Sequence, residues 1–517
     1  MTTALPTRVL TSVTSRERRM SGEAVWVWAL IALTAFGAAL RFHWLGSQGY
    51  WGDEDGTIYW ARGSIKGLIV GTSYKEATPP LYFVAAWMWA KFFGLGEIGM
   101  RSLSALAGTA TIPVVYLAGR ALASRTAGLI AAAFAATSPL LLWYSQEARG
   151  YAFFVLFTSL GLLMFARTLR TGSKRDLVAW AALCDVSLAT HYFAAFAIVP
   201  EAVWLLVSRP EYRRATAVAT LQIAAFAALL APLAIRQQDA QRVAWISRIP
   251  LDYRIRQIPR QFVFGFTSPP TWLTIAVAAL ALIGLATPLV RFLLGHGDLN
   301  PAGKWAALCL VMLLVPILVA AGDVITRNLI YAWVPFAIAV AAIIAGQPRY
   351  LALAVGGLMS LLLAAAFVAS ESQISDQRPD WRGAAQVLGP AVAARVIVPP
   401  VGNFPQDLYF VGRRAMPATA NVTEVDVIGK TDPSQYARDA APGSLLSCWW
   451  GAACSVRSAP LPAVPPSPLF HLTERRRVGA LTVLRYRSSA PVTLTRAEVL
   501  TFASVNRLSS ALFEQGP

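Results

Sequence analysis

Three acidic residues, Asp53, Glu54 and Asp55, lie just after Trp51 in a chain in which only 14% of the residues are charged. They follow the first long apolar run. Acidic residues at the end of a membrane segment cost desolvation energy, so their presence there indicates a functional role. A carboxylate at neutral pH accepts a proton from a hydroxyl group, which is a step that sugar transfer needs. We therefore take Asp53 as the candidate general base, with Glu54 and Asp55 as its rivals. The alternative is that all three acids cap the helix that we predict over residues 57–62.

A fourth acid, Glu76, stands shortly before a proline pair in the same loop. It is a candidate second catalytic acid that would position an acceptor or a cation, although the adjacent Lys75 equally fits an ordinary loop carboxylate. Together with Asp53 and Glu54 it offers the oxygen ligands that divalent cations prefer, so a divalent metal is an open alternative and no other cofactor is indicated. The 4 histidines show no paired spacing, which argues against a His-based metal site.

The composition is that of an integral membrane protein. Hydrophobic residues make up 56% of the 517 residues and the mean hydropathy is +0.52, whereas soluble proteins are about one-half apolar and about one-quarter charged. A net charge of +18 would also fit nucleic-acid binding. The basic residues, however, fall in short loops between apolar runs, as the positive-inside rule expects of cytoplasmic loops. We therefore predict the membrane, and no nucleic acid, as a partner.

Eleven apolar runs are candidates to cross the bilayer, for which about 20 residues are needed. The run at 81–93 is shorter, and we predict that it lies along the interface, because its crossing would place every short basic loop outside. The N-terminus is then cytoplasmic, and the acids after Trp51 face the outer side. The predicted spans are 24–42, 102–119, 126–144, 150–168, 176–190, 192–207, 215–235, 271–291, 304–321, 328–346 and 350–369.

The predicted fold class is an all-α polytopic membrane protein with about 11 transmembrane helices, interfacial helices in the first outer loop, and a small C-terminal α/β domain on the outer face. Because that domain would face an oxidising compartment, Cys448 and Cys454 are expected to form a disulfide. The predicted regions are a basic cytoplasmic N-terminus at 1–23, a membrane domain at 24–370 with outer loops at 43–100 and 236–270, and the outer domain at 371–517.

The outer loop at 236–270 is rich in arginine, and a long loop escapes the orientation rule, so its arginines need another explanation. Guanidinium groups are suited to phosphate oxygens, and Arg254, Arg256 and Arg260 are the first candidates. A general attraction to anionic lipid headgroups is the alternative. Arg149 is a further candidate for binding an anion or an internal carboxylate, because a cation is unfavourable at the N-terminus of the helix that it precedes.

Five motifs resemble those of bacterial GT-C glycosyltransferases of the protein O-mannosyltransferase and aminoarabinose transferase group; they lie at 49–54, 79–82, 145–151, 190–193 and 380–385. The resemblance implies a GT-C membrane domain, a polyprenyl-phosphate-linked sugar donor, and a lipid, glycan or protein acceptor. Transfer of a hexose or pentose would take place on the periplasmic side of the bacterial inner membrane. In that group the acid in the position of Asp53 is the proposed base of an inverting reaction.

The resemblance also implies roles for individual side chains, because a lipid-phosphate leaving group needs positive charge and the sugar needs a binding surface. Arg327 would bind phosphate or would simply pair with Asp323, and a lone histidine such as His191 is more often a satisfied polar residue than a ligand. The candidates for donor phosphate binding are Arg149, Arg254, Arg256, Arg260, Arg327 and Lys75. The candidates for substrate binding are Trp51, Tyr82, Gln146, Tyr151, His191 and Tyr192.

One motif departs from the family pattern. The aminoarabinose transferases have Glu-Lys directly before the proline pair, where this chain has Ala77-Thr78. The lysine that would meet phosphate is therefore missing, unless Lys75 or an arginine substitutes, and the sugar stays unassigned. Two rival functions are a transporter or flippase of lipid-linked sugars and a non-catalytic envelope scaffold. The chain shows no internal repeat of the kind typical of transporters.

Overall fold

Helices make up most of the chain, and a small sheet lies towards its C-terminal end. The predicted fold class, a polytopic helical protein with a C-terminal α/β domain, is confirmed. The predicted cysteine pair, Cys448 and Cys454, lies outside the described residues. The computed structural model describes residues 7–267, 269–293, 300–372, 378–399, 406–410, 412–430, 467–479, 481–502 and 512–516.

The elements follow one another in chain order. The α-helices are α1 Thr7–Phe42, α2 Gly52–Arg62, α3 Ile65–Lys75, α4 Leu81–Phe93, α5 Glu97–Leu122, α6 Arg125–Thr137, α7 Pro139–Ser145, α8 Tyr151–Thr171, α9 Lys174–Thr190, α10 Ala195–Ser208, α11 Arg213–Asp239, α12 Ala244–Ser247, α13 Leu251–Phe264, α14 Thr271–Leu293, α15 Asn300–Val319, α16 Trp333–Ile344, α17 Arg349–Ser372, α18 Trp381–Leu388, α19 Gln406–Tyr409 and α20 Arg496–Thr501. Short 3-10 helices cover Tyr192–Ala194, Pro210–Tyr212, Ala321–Asp323 and Thr326–Ala332. The strands are β1 Arg395–Val398, β2 Arg413–Ala415, β3 Thr419–Lys430, β4 His471–Val478, β5 Leu481–Thr495 and β6 Phe513–Gln515.

By length and composition, 7 helices in the described part of the chain can cross a membrane, or 8 if the bent pair of α6 and α7 counts as one span. The other three predicted spans coincide with α9, α10 and α14. Of these, α9 has 17 residues, and the apolar segments Tyr192–Ser208 and Thr271–Gly284 are short. Eleven spans therefore stay a prediction. Helix α4 has 13 residues, fewer than the roughly 17–25 that a span needs.

A buried arginine secures the break between α6 and α7. The helix axis turns by 55° where α6 ends and α7 begins, because Pro139 lacks the N–H that would continue the hydrogen-bond ladder. The turn leaves carbonyls at the end of α6 without helical partners. Arg41, at the end of α1, donates to the carbonyls of Ala135 at 2.8 Å and Ala136 at 3.1 Å and to Ser145 Oγ at 3.2 Å. This buried charge is thus explained by the break in the helix.

The outer domain is a six-stranded mixed sheet in the order β2-β6-β1-β3-β5-β4. Only the β1–β3 pair is parallel among the described strands. One face of the sheet packs around Val396 and Tyr486, and the other packs under Trp381 of α18. Helix α18 covers 381–388, and strands β1 and β5 begin at Arg395 and Leu481. The sheet therefore forms a separate small core beside the membrane helices.

We expect Gly265→Ala to destabilise the membrane domain more than Gly389→Ala destabilises the outer domain. Both glycines have φ near +60° with an extended ψ, a region that costs other residues about 1–3 kcal/mol. A Cβ on Gly265 would also lie 2.8 Å from the backbone nitrogen of Leu140, whereas nothing lies within 4 Å of a Cβ on Gly389. Thermal unfolding of the purified variants compares them, and equal shifts would contradict the close approach at Leu140.

Candidate active site

Asp53 lies at the start of α2, where the helix dipole favours the three acids of the first turn. Its Oδ2 accepts a hydrogen bond from Arg327 Nη1 at 2.7 Å, and its side chain is 23% exposed. Arg327 comes from the 3-10 segment before α16, and its guanidinium lies 5.8 Å from the ring centre of Tyr151 and 5.3 Å from that of Trp245. Helices α2, α8 and α12 and the 3-10 segment before α16 are far apart in sequence and meet around the Asp53–Arg327 pair.

The Glu54 side chain is fully buried, whereas that of Asp53 is partly exposed. Arg101 Nε and Nη2 donate to its two oxygens at 2.7 and 2.6 Å, and the Ala148 N–H donates to it at 2.9 Å. Burial by itself would raise the pKa of Glu54, but the Arg101 charge and hydrogen bond hold the pKa below the usual carboxyl range. Because both oxygens are already engaged, we replace the predicted catalytic role by a structural one: Glu54 joins α2 to α5 and to the turn before α8.

Glu76 is also engaged with neighbours. Trp60 Nε1 donates to its Oε1 at 2.9 Å, and Arg149 Nη1 lies 3.3 Å from its Oε2. The carboxylate of Glu76 fits against α2 because residue 56 is a glycine. A Cβ at that position would lie only 2.7 Å from Glu76 Oε1. Glu76 therefore holds Arg149 beside α2 and is not a free second acid. Arg149, whose side chain is 15% exposed, lies against α2, where a Cβ on Gly56 would be 3.8 Å from its Nη1.

The arginines of the loop at 236–270 that we predicted as phosphate ligands contact other parts of the protein. Arg254 donates to backbone carbonyls, among them that of Val324 at 2.7 Å, and so fastens α13 to the segment after α15. Arg256 is exposed and pairs with Asp252 one turn earlier on α13. Arg260 donates to the Thr267 carbonyl at 2.9 Å. Only Arg256 has its partner on the same helix, whereas Arg254 binds carbonyls of a distant segment. The donors of Arg254 and Arg260 that are described go to backbone carbonyls, so a phosphate role for the three arginines stays a prediction without a supporting contact.

Lys75 also has a local contact. Its ammonium lies 5.2 Å from the ring centre of Tyr59 and 5.9 Å from that of Trp60. This places Lys75 over the aromatic surface that Tyr59 and Trp60 form near the end of α2. A role on phosphate stays a prediction without a supporting contact.

Two of the residues predicted to bind substrate are structural. Tyr82 is buried, and its hydroxyl lies 2.9 Å from Ser104 Oγ, so that it joins α4 to α5. Gln146 Nε2 donates to the carbonyls of Leu40 and His43 at 3.0 Å each and caps the end of α1. Both side chains form these hydrogen bonds inside the protein. We therefore assign them to the fold.

The other aromatic candidates lie closer to the Asp53–Arg327 pair. Tyr151 packs beside Arg327, and His191 stacks on Phe154 with ring centres 4.5 Å apart. Burial first, and then the charges of Arg327 and Arg149, lower the pKa of His191 to about 3, so it is a neutral imidazole. Tyr192 points away, with its hydroxyl donating to Gln237 Oε1 at 2.8 Å. Tyr151 and His191 thus form the wall behind Arg327, and Tyr192 does not.

Three charged residues at the site escaped the sequence analysis: Arg101, Glu147 and Arg378. Arg101 directly precedes the predicted span at 102–119, and helix α5 includes it. Glu147 belongs to the motif at 145–151 but received no role. Arg378 precedes the motif at 380–385, and only the fold brings it to the acids. A charged residue at the edge of an apolar run is a signal that points to Arg101; no comparable signal marks Arg378.

Glu147 and Arg378 form a buried pair with a gap between them. Arg378 Nη2 lies 3.7 Å from Glu147 Oε2, and neither carboxylate oxygen has a hydrogen-bond partner among the described residues. Trp51 Nε1, Arg327 Nε and Arg378 Nε likewise have none there. Buried polar atoms are normally paired. Several of the unpaired buried atoms in the described residues lie on Trp51, Glu147, Arg327 and Arg378, close to Asp53.

The acids do not gather into a metal site. Among the residues that the structure describes, no group of three His, Cys, Asp or Glu side chains is placed to hold a metal ion. Of the three acids that we named as possible ligands, Glu54 and Glu76 direct their oxygens at Arg101 and Arg149. Asp53 faces Arg327 instead. The three carboxylates therefore point to three different arginines.

We expect Glu147→Gln to remove a pH dependence of stability. Burial, opposed by Arg378 and assisted by Asp53 and Glu54, raises the pKa of Glu147 from the model-compound value of 4.5 to about 8. An unfolded chain loses this proton near 4.5, so the native state is progressively disfavoured as the pH rises from about 4.5 to about 8, by on the order of a few kcal/mol. Unfolding midpoints at pH 5 and pH 8 test this.

The wild type should lose more stability than Glu147→Gln between the two pH values. The control is Asp252→Asn, which neutralises an exposed acid outside the site. Parallel pH profiles of the wild type and Glu147→Gln would contradict the shifted carboxyl.

Residues 77–235 match the family model for dolichyl-phosphate-mannose-protein mannosyltransferase. The match covers less than half of the chain, and it confirms the resemblance to GT-C glycosyltransferases of the O-mannosyltransferase group that the motifs predicted. The matched segment of this GT-C chain includes Arg101, Glu147 and Arg149, whereas Asp53, Arg327 and the outer domain lie outside it. The sequence matches no curated protein.

Three solved structures illustrate the range of similarity to the GT-C chain. ArnT from Cupriavidus metallidurans, bound to undecaprenyl phosphate, is 15% identical with a TM-score of 0.40, and the match covers 89% of this chain and 98% of that one. Archaeoglobus fulgidus AglB, with an inhibitory peptide and a dolichol-phosphate, is 12% identical with a TM-score of 0.43 and coverage of 71% and 58%. The yeast Pmt1-Pmt2 complex is 16% identical with a TM-score of 0.33 and coverage of 42% and 33%. The chain thus spans about a third to just over half of the yeast and archaeal proteins.

Proposed function

We propose that the chain is a glycosyltransferase of the bacterial inner membrane that moves a hexose or pentose from a polyprenyl-phosphate donor to an acceptor on the periplasmic side. The observation that carries the proposal is the state of Asp53. Of the two acids at 53 and 54, Glu54 is sealed against Arg101, and Asp53 keeps an accessible carboxylate facing Arg327. The family match over 77–235 supports a lipid-phosphate-linked sugar as the donor class.

In the proposed reaction Asp53 is the general base. The acceptor hydroxyl gives its proton to the Asp53 carboxylate while its oxygen attacks the anomeric carbon. The bond between that carbon and the phosphate oxygen breaks, and its electron pair stays on the phosphate. Attack from the side opposite to the leaving phosphate inverts the configuration at the anomeric carbon.

The arginines at the site fit the charge that develops in this step. Arg327 lies 2.7 Å from Asp53 and has an Nε without a partner among the described residues, so it offers one donor to the base and another to a phosphate. Arg149 is held by Glu76 and presents a second guanidinium. Fixed positive groups that are aimed at a leaving phosphate stabilise the transition state without reorganising.

The proposal is tested by reconstituting the purified full chain in liposomes with a polyprenyl-phosphate donor that carries a labelled sugar. An envelope extract supplies lipid, glycan and protein acceptors together. We expect the label to move to an acceptor and free polyprenyl phosphate to be released. Movement of intact labelled lipid between leaflets without transfer would support the flippase alternative and overturn the proposal.

A further inference from the structure

The segment that opens the outer domain reaches into the candidate active site. Arg378 is buried, and its Nη1 and Nη2 donate to the carbonyls of Gln146 at 2.8 Å and Trp143 at 3.1 Å. Its guanidinium lies 4.1 Å from the ring centre of Trp143 and 5.8 Å from that of Trp51. Arg378 therefore lies against two segments of the candidate site. One is Trp51, directly before α2, and the other is the turn before α8.

Two further residues of the same segment hold the backbone that leads to Asp53. Asp380 Oδ1 accepts the Gly49 N–H at 3.4 Å while it caps α18 through the Gly383 N–H at 2.9 Å. Arg382 donates to the Gly46 carbonyl at 2.8 Å. A Cβ on Gly49 would lie 2.9 Å from the Arg382 backbone nitrogen, so glycine is needed for this close approach.

Tyr409, from α19 of the outer domain, adds a second contact from another part of that domain. Its hydroxyl accepts the Tyr50 N–H at 2.6 Å and donates to Glu97 Oε1 at 2.8 Å. Glu97 in turn pairs with Arg382 at 3.2 Å. The outer domain thus binds the loop at two places that are linked through Glu97.

The membrane domain grips the same loop from the other side. Arg101 of α5 donates to the carbonyls of Leu45, Gln48 and Gly49 at 2.8, 2.8 and 2.9 Å. The outer domain takes the N–H groups of Gly49 and Tyr50 that Arg101 cannot bind. Five carbonyls and two N–H groups between residues 45 and 50 therefore have a side-chain partner; Arg101 binds three of these seven groups and the outer domain binds four.

We propose that the outer domain positions the general base, through Arg378, Asp380, Arg382 and Tyr409, by fixing the loop at 45–51 against α5. The proposal rests on the proposed function only for its effect on turnover; the placement of Asp53 can be measured without it. Catalytic groups must be held within a fraction of an ångström of the productive position. Each of these four side chains is a positioning residue that acts through the loop and touches no reacting atom.

The placement of residue 53 is tested directly by thiol labelling of the full chain. In a background in which the 4 native cysteines are replaced, Asp53→Cys is labelled by a water-soluble thiol reagent. Adding Arg378→Ala or Tyr409→Phe should change the labelling rate by at least about threefold, because the loop is released. Arg414→Ala is the matched control, since Arg414 is an exposed arginine of the same domain that pairs with Glu514. Tyr409→Phe removes one oxygen and so keeps the test valid if Arg378→Ala fails to fold.

Turnover gives the second measurement, with the native residue at 53. Arg378→Ala and Tyr409→Phe should lower kcat by about 10- to 100-fold with little change in the KM for the donor, because a displaced base slows chemistry more than binding. Arg378→Lys should recover part of the loss, since it restores the charge but not the two-pronged contact. Arg414→Ala should keep wild-type kcat.

The outcomes separate the two proposals. Labelling rates of Arg378→Ala and Tyr409→Phe that equal the rate of Arg414→Ala would overturn the positioning role, as would an unchanged kcat in both variants. Changed labelling in a chain that transfers no sugar would leave the positioning role standing and refute the proposed function.

Discussion

Asp53→Asn is expected to lower the kcat of sugar transfer by about 10²–10⁴-fold, the usual contribution of a general base. The asparagine side chain has the same size and can still accept a hydrogen bond from Arg327, which lies 2.7 Å from the carboxylate. What it cannot do is take the proton of the acceptor hydroxyl. The KM for the donor should stay similar, because Arg327 then remains available to a phosphate.

The measurement is initial-rate transfer by the reconstituted full chain, with folding checked by the elution volume in size-exclusion chromatography. Asp252→Asn is the matched control, because it makes the same chemical change at an exposed acid on α13. It should transfer at the wild-type rate. Full activity of Asp53→Asn would remove Asp53 from the mechanism and would reopen the roles of Asp55 and Glu147.

Arg101→Met is expected to destabilise the protein by about 3–5 kcal/mol, as is typical when one partner of a buried ion pair is removed. Glu54 would be left fully buried without its cation, and the carbonyls of Leu45, Gln48 and Gly49 would lose their donors. The expected result is a large fall in the thermal unfolding midpoint or a failure to accumulate folded protein.

Two further variants give this prediction its control. Arg256→Ala removes an exposed arginine that also pairs with an acid, and it should cost at most about 0.5 kcal/mol. Adding Glu54→Gln to Arg101→Met removes the stranded charge, so the double variant should be more stable than the sum of the single effects implies. Equal losses of stability in Arg101→Met and Arg256→Ala would show that the buried pair stabilises the protein no more than the exposed pair does.

The sequence by itself determined the polytopic helical class of the protein and indicated which segments form the candidate site. Hydropathy and the distribution of basic residues predicted the membrane helices, and the region after residue 371 was predicted to form a small α/β domain. The motifs at 49–54 and 145–151 pointed to segments that do meet in space. These features were accessible because periodicity, apolar length and local motifs are properties of short stretches of chain.

Only the tertiary structure decided which of the neighbouring charged residues is free to act. Asp53 and Glu54 are adjacent in sequence and chemically alike, yet one is accessible and the other is sealed against Arg101 of α5. Arg254 looked like a phosphate ligand and instead binds carbonyls, whereas Arg327 arrives at Asp53 from 274 residues away. Distant segments determine whether a charged side chain is buried and which partners it has, and therefore whether it is available to a substrate. A buried charge needs a partner because burying an unpaired charge costs a large free energy. No local pattern in the sequence contains that information.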